Sequence, residues 1–486
     1  MPLSAKLGPE ALAANFVDLH PPLTQREALI EARRCLFCFD APCIHACPTG
    51  IDVPFFIAKI TRDDPTGAAR AILNANILGA SCARVCPTEV LCEGACVVNQ
   101  LEGGPVKIGQ LQRYATDYVA EQKISVVKKN NKASKFRVAV IGSGPAGLGC
   151  AAELAQLGHQ VVVFEKKPQP GGLNTHGVAY YKMKPETGLA EVDLVRSLGV
   201  EFRCGVEVGR DIPVAQLEKE FDAVFLGLGL GGGLRLGVPG EHLPEVMSAV
   251  DFIEQVHTKS LAKISIGERV AIIGCGNTAI DAVTQARRLG AQSATVIYHR
   301  GEAEMSAYQF EYELAKADGA QFLFDAMPVE IVGEQGHVTG LRLARTQSKA
   351  SGGRDIVTGT EWFQPFDMVL LAVGQEKANA TLRRLFPNLE FDSRGAVRCD
   401  AATGQTNLPR VFVGGDCANG GREVVHAVAE GKRAARGMHA MFGGAAVASP
   451  TQPSRLGVLN GSSGAGFEDW LRASTAGTPT KVSNHG

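Results

Sequence analysis

The segment from Phe136 to Glu165, FRVAVIGSGPAGLGCAAELAQLGHQVVVFE, limits the rest of the chain more than any other. An apolar, β-branched run (Val138 to Ile141) enters the turn Gly142-Ser143-Gly144-Pro145-Ala146-Gly147. A small-residue helix follows and stops at Gly158. A second apolar run, Val161 to Phe164, ends at Glu165. That order is a βαβ unit with G-x-G-x-x-G at its first turn. Gly142 permits the tight turn, Gly144 lets backbone approach a pyrophosphate, and Gly147 lets the helix lie close to the strand. Free N–H groups and the helix dipole hold phosphate at that end. Glu165 stands 18 residues after Gly147, where a carboxylate meets a ribose hydroxyl. The segment predicts a bound adenine dinucleotide, with Lys166 beside it.

A second unit starts at Arg269, RVAIIGCGNTAIDAVTQARRLGAQSATVIYHR. Its turn contains Gly274, Gly276, Asn277 and Thr278, and Ala279 takes the third small position. Its second strand ends at Tyr298-His299-Arg300. Two such units in one chain indicate a flavoprotein with FAD in the first and a nicotinamide dinucleotide in the second. Apolar strands running into glycines at Phe221–Gly229 and Phe366–Gly374 mark the crossings between the units, so Gly229 and Gly374 are expected at the sites. Pro170-Gly171-Gly172-Leu173 lets backbone approach the flavin, through Gly172 and Leu173. After the second crossing, Arg410 to Asp416 returns the chain to FAD, placing Gly415 and Asp416 after a buried strand. Glu423, Val424 and Val425 then open a helix whose N-terminus faces the flavin and stabilises negative charge on the reduced ring.

The coenzyme is arguable from the second strand's end. No acid stands there to receive a ribose 2′-hydroxyl, and Arg300 could face a 2′-phosphate. Glu302 and Glu304 follow and would repel that phosphate, so NADH is expected, with NADPH possible. Lys182, in the loop Tyr180-Tyr181-Lys182, is a weak catalytic candidate; no acid–base residue is otherwise assigned. His426 reads as an ordinary helix residue.

Of 13 cysteines, eight crowd between Cys35 and Cys96. They form Cys35-x2-Cys38-x4-Cys43-x3-Cys47-Pro48 and then Cys82, Cys86-Pro87, Cys92 and Cys96. In a reducing compartment such clustering signals metal or redox chemistry, not disulfides. The spacings do not split into two clean zinc pairs, and the first run has the ferredoxin pattern, so two 4Fe–4S clusters are expected over zinc. Spacing alone does not divide the ligands. No thiol pair accompanies either nucleotide turn, since Cys150, Cys204, Cys275, Cys399 and Cys417 are scattered. Electrons leaving the flavin therefore need the cysteine-rich head.

A chain of 486 residues with 45% apolar content has room for about three domains with real cores. A formal net charge of −1 gives no footprint for nucleic acid or a membrane surface. No apolar run is long enough to span a bilayer, and the N-terminus lacks a leader's apolar core. A cytosolic location is the expectation.

Up to about residue 440 the chain resembles the electron-input half of dihydropyrimidine dehydrogenases. It is especially similar to their separate bacterial subunit of the PreT type. The small subunit of glutamate synthase is a more distant resemblance. The residues that carry it are CLFCFDAPCIHACPTGIDVPFFI, GASCARVCPTEVLCEGAC, VKIGQLQRY and IGSGPAGL. The resemblance implies one cluster on Cys35, Cys38, Cys43 and Cys96. It implies a second on Cys47, Cys86, Cys92 and Gln112, nearer the FAD, with Cys82 a non-ligand. It implies a partner subunit of the PreA type, carrying FMN and iron–sulfur clusters, in a heterotetramer that reduces uracil or thymine. The expected fold is α/β. A helical double-cluster domain (1–130) precedes an FAD domain in two parts (131–250 and 376–442). An NAD(P) domain (251–375) is inserted between those parts. A flexible tail (443–486) follows, with a short docking segment at Phe467–Leu471.

Overall fold

The computed structural model describes residues 7–132, 134–349, 353–445 and 447; Phe467–Leu471 lies outside the described residues. Seven α-helices come first: α1 (Pro9–Asn15), α2 (Gln25–Ala32), α3 (Pro42–His45), α4 (Val53–Thr61), α5 (Pro65–Ala75), α6 (Gly79–Val85) and α7 (Ile108–Glu121). Local chemistry sets their starts. Thr24 Oγ1 accepts from the Glu27 N–H at 3.3 Å while the Glu27 carboxylate accepts from the Thr24 N–H at 2.8 Å, a capping box for α2. Asp64 accepts from the Gly67 N–H at 2.7 Å, with Pro65 at the first helical position of α5.

Phe56, Ile57, Ile60, Ile72 and Leu111 fill the helical core, which runs on without a break into Leu154 and Val428 of the next unit. Helix α1 is the exception. Leu12 and Phe16 are buried in the core of the second nucleotide unit, and Asn15 Nδ2 donates to the Arg288 carbonyl at 2.9 Å.

The first nucleotide unit runs β1 (Arg137–Ile141), α8 (Pro145–Gln156), β2 (Gln160–Glu165), α9 (Leu173–His176), α10 (Pro185–Ser197), β3 (Glu201–Cys204), α11 (Val214–Glu220) and β4 (Ala223–Leu226). The second runs β5 (Val246–Ser248), α12 (Ala249–Thr258), β6 (Arg269–Ile273), α13 (Asn277–Leu289), β7 (Ser293–Ile297), α14 (Gln309–Ala317), β8 (Gln321–Leu323), β9 (Ala326–Glu334), β10 (His337–Ser348), β11 (Arg354–Ile356), β12 (Trp362–Pro365) and β13 (Met368–Leu371). The chain then gives α15 (Asn379–Leu385), β14 (Val411–Val413), α16 (Asp416–Asn419) and α17 (Val424–Met441).

Strand order makes the insertion visible. One parallel sheet is β14-β4-β1-β2-β3 and the other β5-β13-β6-β7-β8, so β14 rejoins the first sheet after the second is complete. A smaller antiparallel sheet of β9 to β12 is appended to the second unit. The strands are apolar along their length because helices cover both faces. The two crossing segments bond to each other: the Gly231 N–H donates to the Glu376 carbonyl (2.6 Å) and the Glu376 N–H to the Gly232 carbonyl (2.7 Å). Helices α8 and α17 pack at backbone distance, since a Cβ on Gly431 would stand 2.0 Å from the Ala146 carbonyl oxygen.

Candidate functional site

The first pocket, about 560 Å³, opens along the carboxyl ends of β1, β2 and β4. That is where an open parallel sheet takes a ligand, and the volume is in the range of small-molecule sites. Its lining includes Gly142, Ser143, Gly144, Pro145, Ala146, Glu165, Lys166, Gly172, Leu173, Gly229, Gly415, Asp416, Glu423 and Val424. Gly147 and Val425 stand behind that surface: a Cβ on Gly147 would meet the Gly142 carbonyl oxygen at 2.0 Å, and Val425 is buried. Glu165 has a duty besides the one read from sequence. Its carboxylate accepts from the Ser143 N–H (3.0 Å) and hydroxyl (2.6 Å) and from the Lys167 N–H (2.8 Å), so it braces the glycine turn. Gly172, at φ 58°, brings a second turn against the first; its Cβ would lie 2.6 Å from Gly144 Cα.

At the other end, burial pushes the Asp416 carboxyl up, while the Arg422 N–H donates to it at 3.2 Å. Glu423 stands at the residue before α17 and its carboxylate accepts from the Tyr308 hydroxyl at 2.7 Å. Tyr308 belongs to the second unit, where its N–H donates to Asn277 Oδ1 at 3.0 Å, so it spans the two sites. Asn174 also lines the first pocket and is 1% exposed. Its amide nitrogen donates to Ser81 Oγ at 2.8 Å, and its amide oxygen is buried without a partner. Sequence gave no sign of Asn174 or Tyr308, because their partners are far along the chain.

The second pocket, about 550 Å³, is lined by Gly274, Gly276, Thr278, His299 and Gly374 among the expected residues, and by Cys275, Tyr298, Ser306 and Gln375 besides. Asn277 and Arg300 are not on its wall. Asn277 positions Tyr308, and Arg300 Nε stands 3.2 Å from His299 Nε2. Burial, then Arg300, lowers the His299 pKa. The two acids set against a 2′-phosphate are engaged elsewhere: Glu302 accepts from the Tyr312 hydroxyl at 2.8 Å, and Glu304 pairs with Arg354.

Lys182 is not free for acid–base work. Its ammonium lies 2.7 Å from Asp281 and 2.6 Å from Glu311, on two helices of the second unit. Burial opposes its charge, but Asp281 and Glu311 outweigh burial and hold it protonated well above the usual range. Tyr181 donates to Asp281 at 3.1 Å beside it. The loop is a fastening between the two units.

The cysteines gather into two sets. Cys35, Cys38, Cys43 and Cys96 line one small cavity walled by Val53, Ile57, Val98 and Ile108. Burial, then the neighbouring Cys96, Cys35 and Cys38, pushes the Cys43 thiol up to about 12. Four crowded thiols, of which Cys35 and Cys43 are pushed up, would ionise on a cation that offsets their charge. Leu36 and Phe39, between them in sequence, are exposed. Deeper in, Cys86 is pushed up by hydrogen bonding to Cys82, by burial, and by Cys47 and Cys92. Cys82 is buried and accepts from Asn76 Nδ2 at 3.1 Å. Gln112, 7% exposed, donates its amide N–H to the Gly79 carbonyl at 2.7 Å, one turn before Cys82, which leaves the amide oxygen as its free end. Among the described residues, no three Cys, His, Asp or Glu side chains close on a point as a single metal ion requires. A cubane is gripped at its corners, so its thiolates stand apart.

The family described as dihydropyrimidine dehydrogenase domain II, 4Fe-4S cluster, matches residues 12–124, and the pyridine nucleotide-disulphide oxidoreductase family matches residues 136–431. A glutamate synthase [NADPH] small chain of Halomonas elongata is 36% identical over 447 residues, covering 88% of this chain and 93% of that one. An NAD-dependent dihydropyrimidine dehydrogenase subunit PreT of Salmonella typhimurium is 34% identical over 428 residues, covering 87% and 97%. Among solved structures, FprA of Mycobacterium tuberculosis in complex with NADPH matches with a TM-score of 0.52 at 21% identity, over 71% of this chain and 91% of that one. That last likeness is one of fold.

Proposed function

The chain belongs to the pyridine nucleotide-disulphide oxidoreductase family, with a 4Fe-4S domain of the dihydropyrimidine dehydrogenase kind ahead of it, and on that premise we propose that it is the electron-input subunit of a dihydropyrimidine dehydrogenase complex. In this reading it oxidises NADH and serves a partner subunit that carries FMN and reduces uracil or thymine. The observation that carries the reading is the bond from Asn174, on the wall of the first nucleotide pocket, to Ser81, whose short helix bears Cys82, leads to Cys86 and accepts from Gln112. When bound, the nicotinamide supplies hydride, the flavin converts an electron pair into single electrons, and iron–sulfur clusters carry those one at a time.

The chain's own residues do the holding. Glu165 takes the FAD ribose while it braces the phosphate turn, and Asp416 and the start of α17 face the flavin end. Tyr308, fixed by Asn277 and Glu423, keeps the two pockets in register. The Lys182 ion pairs fasten the loop 180–182 to α13 and α14, so the nicotinamide unit keeps its place over the flavin. Cys35, Cys38, Cys43 and Cys96 hold one cluster; Cys47, Cys86, Cys92 and the Gln112 amide oxygen hold the other. Because Arg354 neutralises Glu304, discrimination against NADPH is small, within about tenfold, or about 1.4 kcal/mol.

A second reading is an electron-input chain for glutamate synthase, favoured by the equal similarity to small chains of that enzyme. The two part in one experiment. The purified chain is mixed anaerobically with an FMN-bearing dihydropyrimidine dehydrogenase subunit or with a glutamate synthase large chain. Uracil-dependent NADH oxidation with the first alone is expected. Glutamine-dependent oxidation with the second alone reverses the choice.

A further inference from the structure

Asn174 is the most buried polar side chain on the wall of the first pocket that retains an unsatisfied atom. A buried amide oxygen without a partner has lost its water and gained nothing in exchange. It is tolerated where something not in the chain completes it.

Which end of the amide is free follows from a line of donors. The Ala80 and Ser81 N–H groups donate to Glu191 Oε1 at 2.8 Å and 3.0 Å, which makes that carboxylate an acceptor. The Ser81 hydroxyl has one hydrogen and gives it to Glu191 Oε2. Ser81 Oγ can then only accept from Asn174, so the atom 2.8 Å away is the amide nitrogen, and Oδ1 is the end left over. Ser81 is in α6, the helix that holds Cys82, is followed by Cys86 and gives its Gly79 carbonyl to Gln112. One short helix thus receives a bond from the first pocket and one from Gln112.

We propose that Asn174 contacts the flavin ring: its amide oxygen accepts from the ring N–H gained on reduction, and its amide nitrogen, held by Ser81, ties that contact to the helix of Cys82 and Cys86. The proposal rests on FAD occupying the first pocket. A hydrogen bond available only to the reduced ring makes Asn174 a residue that sets flavin potential. It also fixes the ring at a constant distance from the deeper cysteine set.

The test is an anaerobic spectroelectrochemical titration of the full-length holoprotein near pH 8.5, above the Glu191 pKa of about 7. Asn174→Leu keeps the volume and removes both amide ends. The expected result is a roughly tenfold loss of preference for reduced over oxidised flavin, a midpoint about 30 mV more negative. Iron content and melting temperature should be unchanged. Ser81→Ala leaves the amide in place but lets it turn, and should shift the midpoint the same way by less. A wild-type midpoint in Asn174→Leu at full flavin content overturns the proposal. So does a shift accompanied by lost iron or a lowered melting temperature, which marks a structural role only. If Asn174→Leu sheds its flavin, the Ser81→Ala midpoint decides, and an unshifted value overturns the proposal. Wild-type protein that takes up no FAD would defeat the cofactor reading itself, a separate outcome.

Discussion

The two nucleotide units share one plan and part where the plan can be tuned. Each opens on a left-handed glycine, Gly142 (φ 98°) or Gly274 (φ 117°), whose Cβ would stand 2.3 Å from a carbonyl oxygen across the crossing strand. At the third small position they diverge. Gly147 has no room for a methyl group, whereas Ala279 carries one and is fully buried. At the end of the second strand they diverge again, with a braced carboxylate, Glu165, in one and His299 and Arg300 in the other. In the proposed reading the glycine turn grips phosphate, and the strand end decides what surrounds the ribose.

The largest expected effect tests the third small position. Gly147→Ala forces a methyl group against the Gly142 carbonyl oxygen, and should cost about 3 kcal/mol with loss of flavin. The reverse change in the second unit, Ala279→Gly, should cost only about 1 kcal/mol, the helix penalty. Thermal melts with flavin-to-protein ratios check the pair; equal losses would erase the distinction between the turns.

Next is a pH effect confined to the first unit. Burial raises the Glu191 pKa from 4.5 to about 7. The folded protein therefore binds that proton more tightly than the unfolded chain. The associated stability is complete below about pH 4.5 and is lost as pH rises through about 7. Glu191→Gln should abolish a fall of about 3 kcal/mol across that window. Denaturant midpoints at a series of pH values read it, and an unaltered pH profile in the variant would reassign the fall.

Glu165→Gln follows. It removes charge from three hydrogen bonds, and FAD affinity should drop about tenfold, or about 1.4 kcal/mol, by fluorescence titration. The NADH KM should not move. The smallest effect is at the other strand end: Arg300→Ala should lower kcat/KM for NADPH about fivefold and leave NADH within a factor of about two. A matching loss with both coenzymes would show that Arg300 supports the loop and does not read the ribose.

What sequence revealed and what it concealed divide by range along the chain. Both glycine turns, the crossing strands and the caps at Thr24 and Asp64 depend on residues a few positions apart, and their chemistry is written locally. The cysteine groups are also local, and the structure gathers them into two sets. Lys182 was legible only as a polar residue near a flavin; its partners Asp281 and Glu311 lie on two other helices. The same distance hides Arg354 from Glu304, Tyr308 from Glu423 and Asn174 from Ser81. All but the Arg354 pair join different units, and Arg354 stands 50 residues from Glu304 within the second, so no periodicity or local motif could announce them.

Helix α1 has a mechanical consequence. The first stretch of chain buries Leu12 and Phe16 in the nicotinamide unit, bonds Leu19 to Tyr181 on the flavin side at 3.0 Å, and at Thr24 starts the cysteine-rich helices. A strip of some twenty residues laces three bodies together, so heat finds no weak seam among them and the protein should melt in a single calorimetric transition. Cleavage of the backbone between Phe16 and Thr24 is then the lightest cut able to divide that one peak into two.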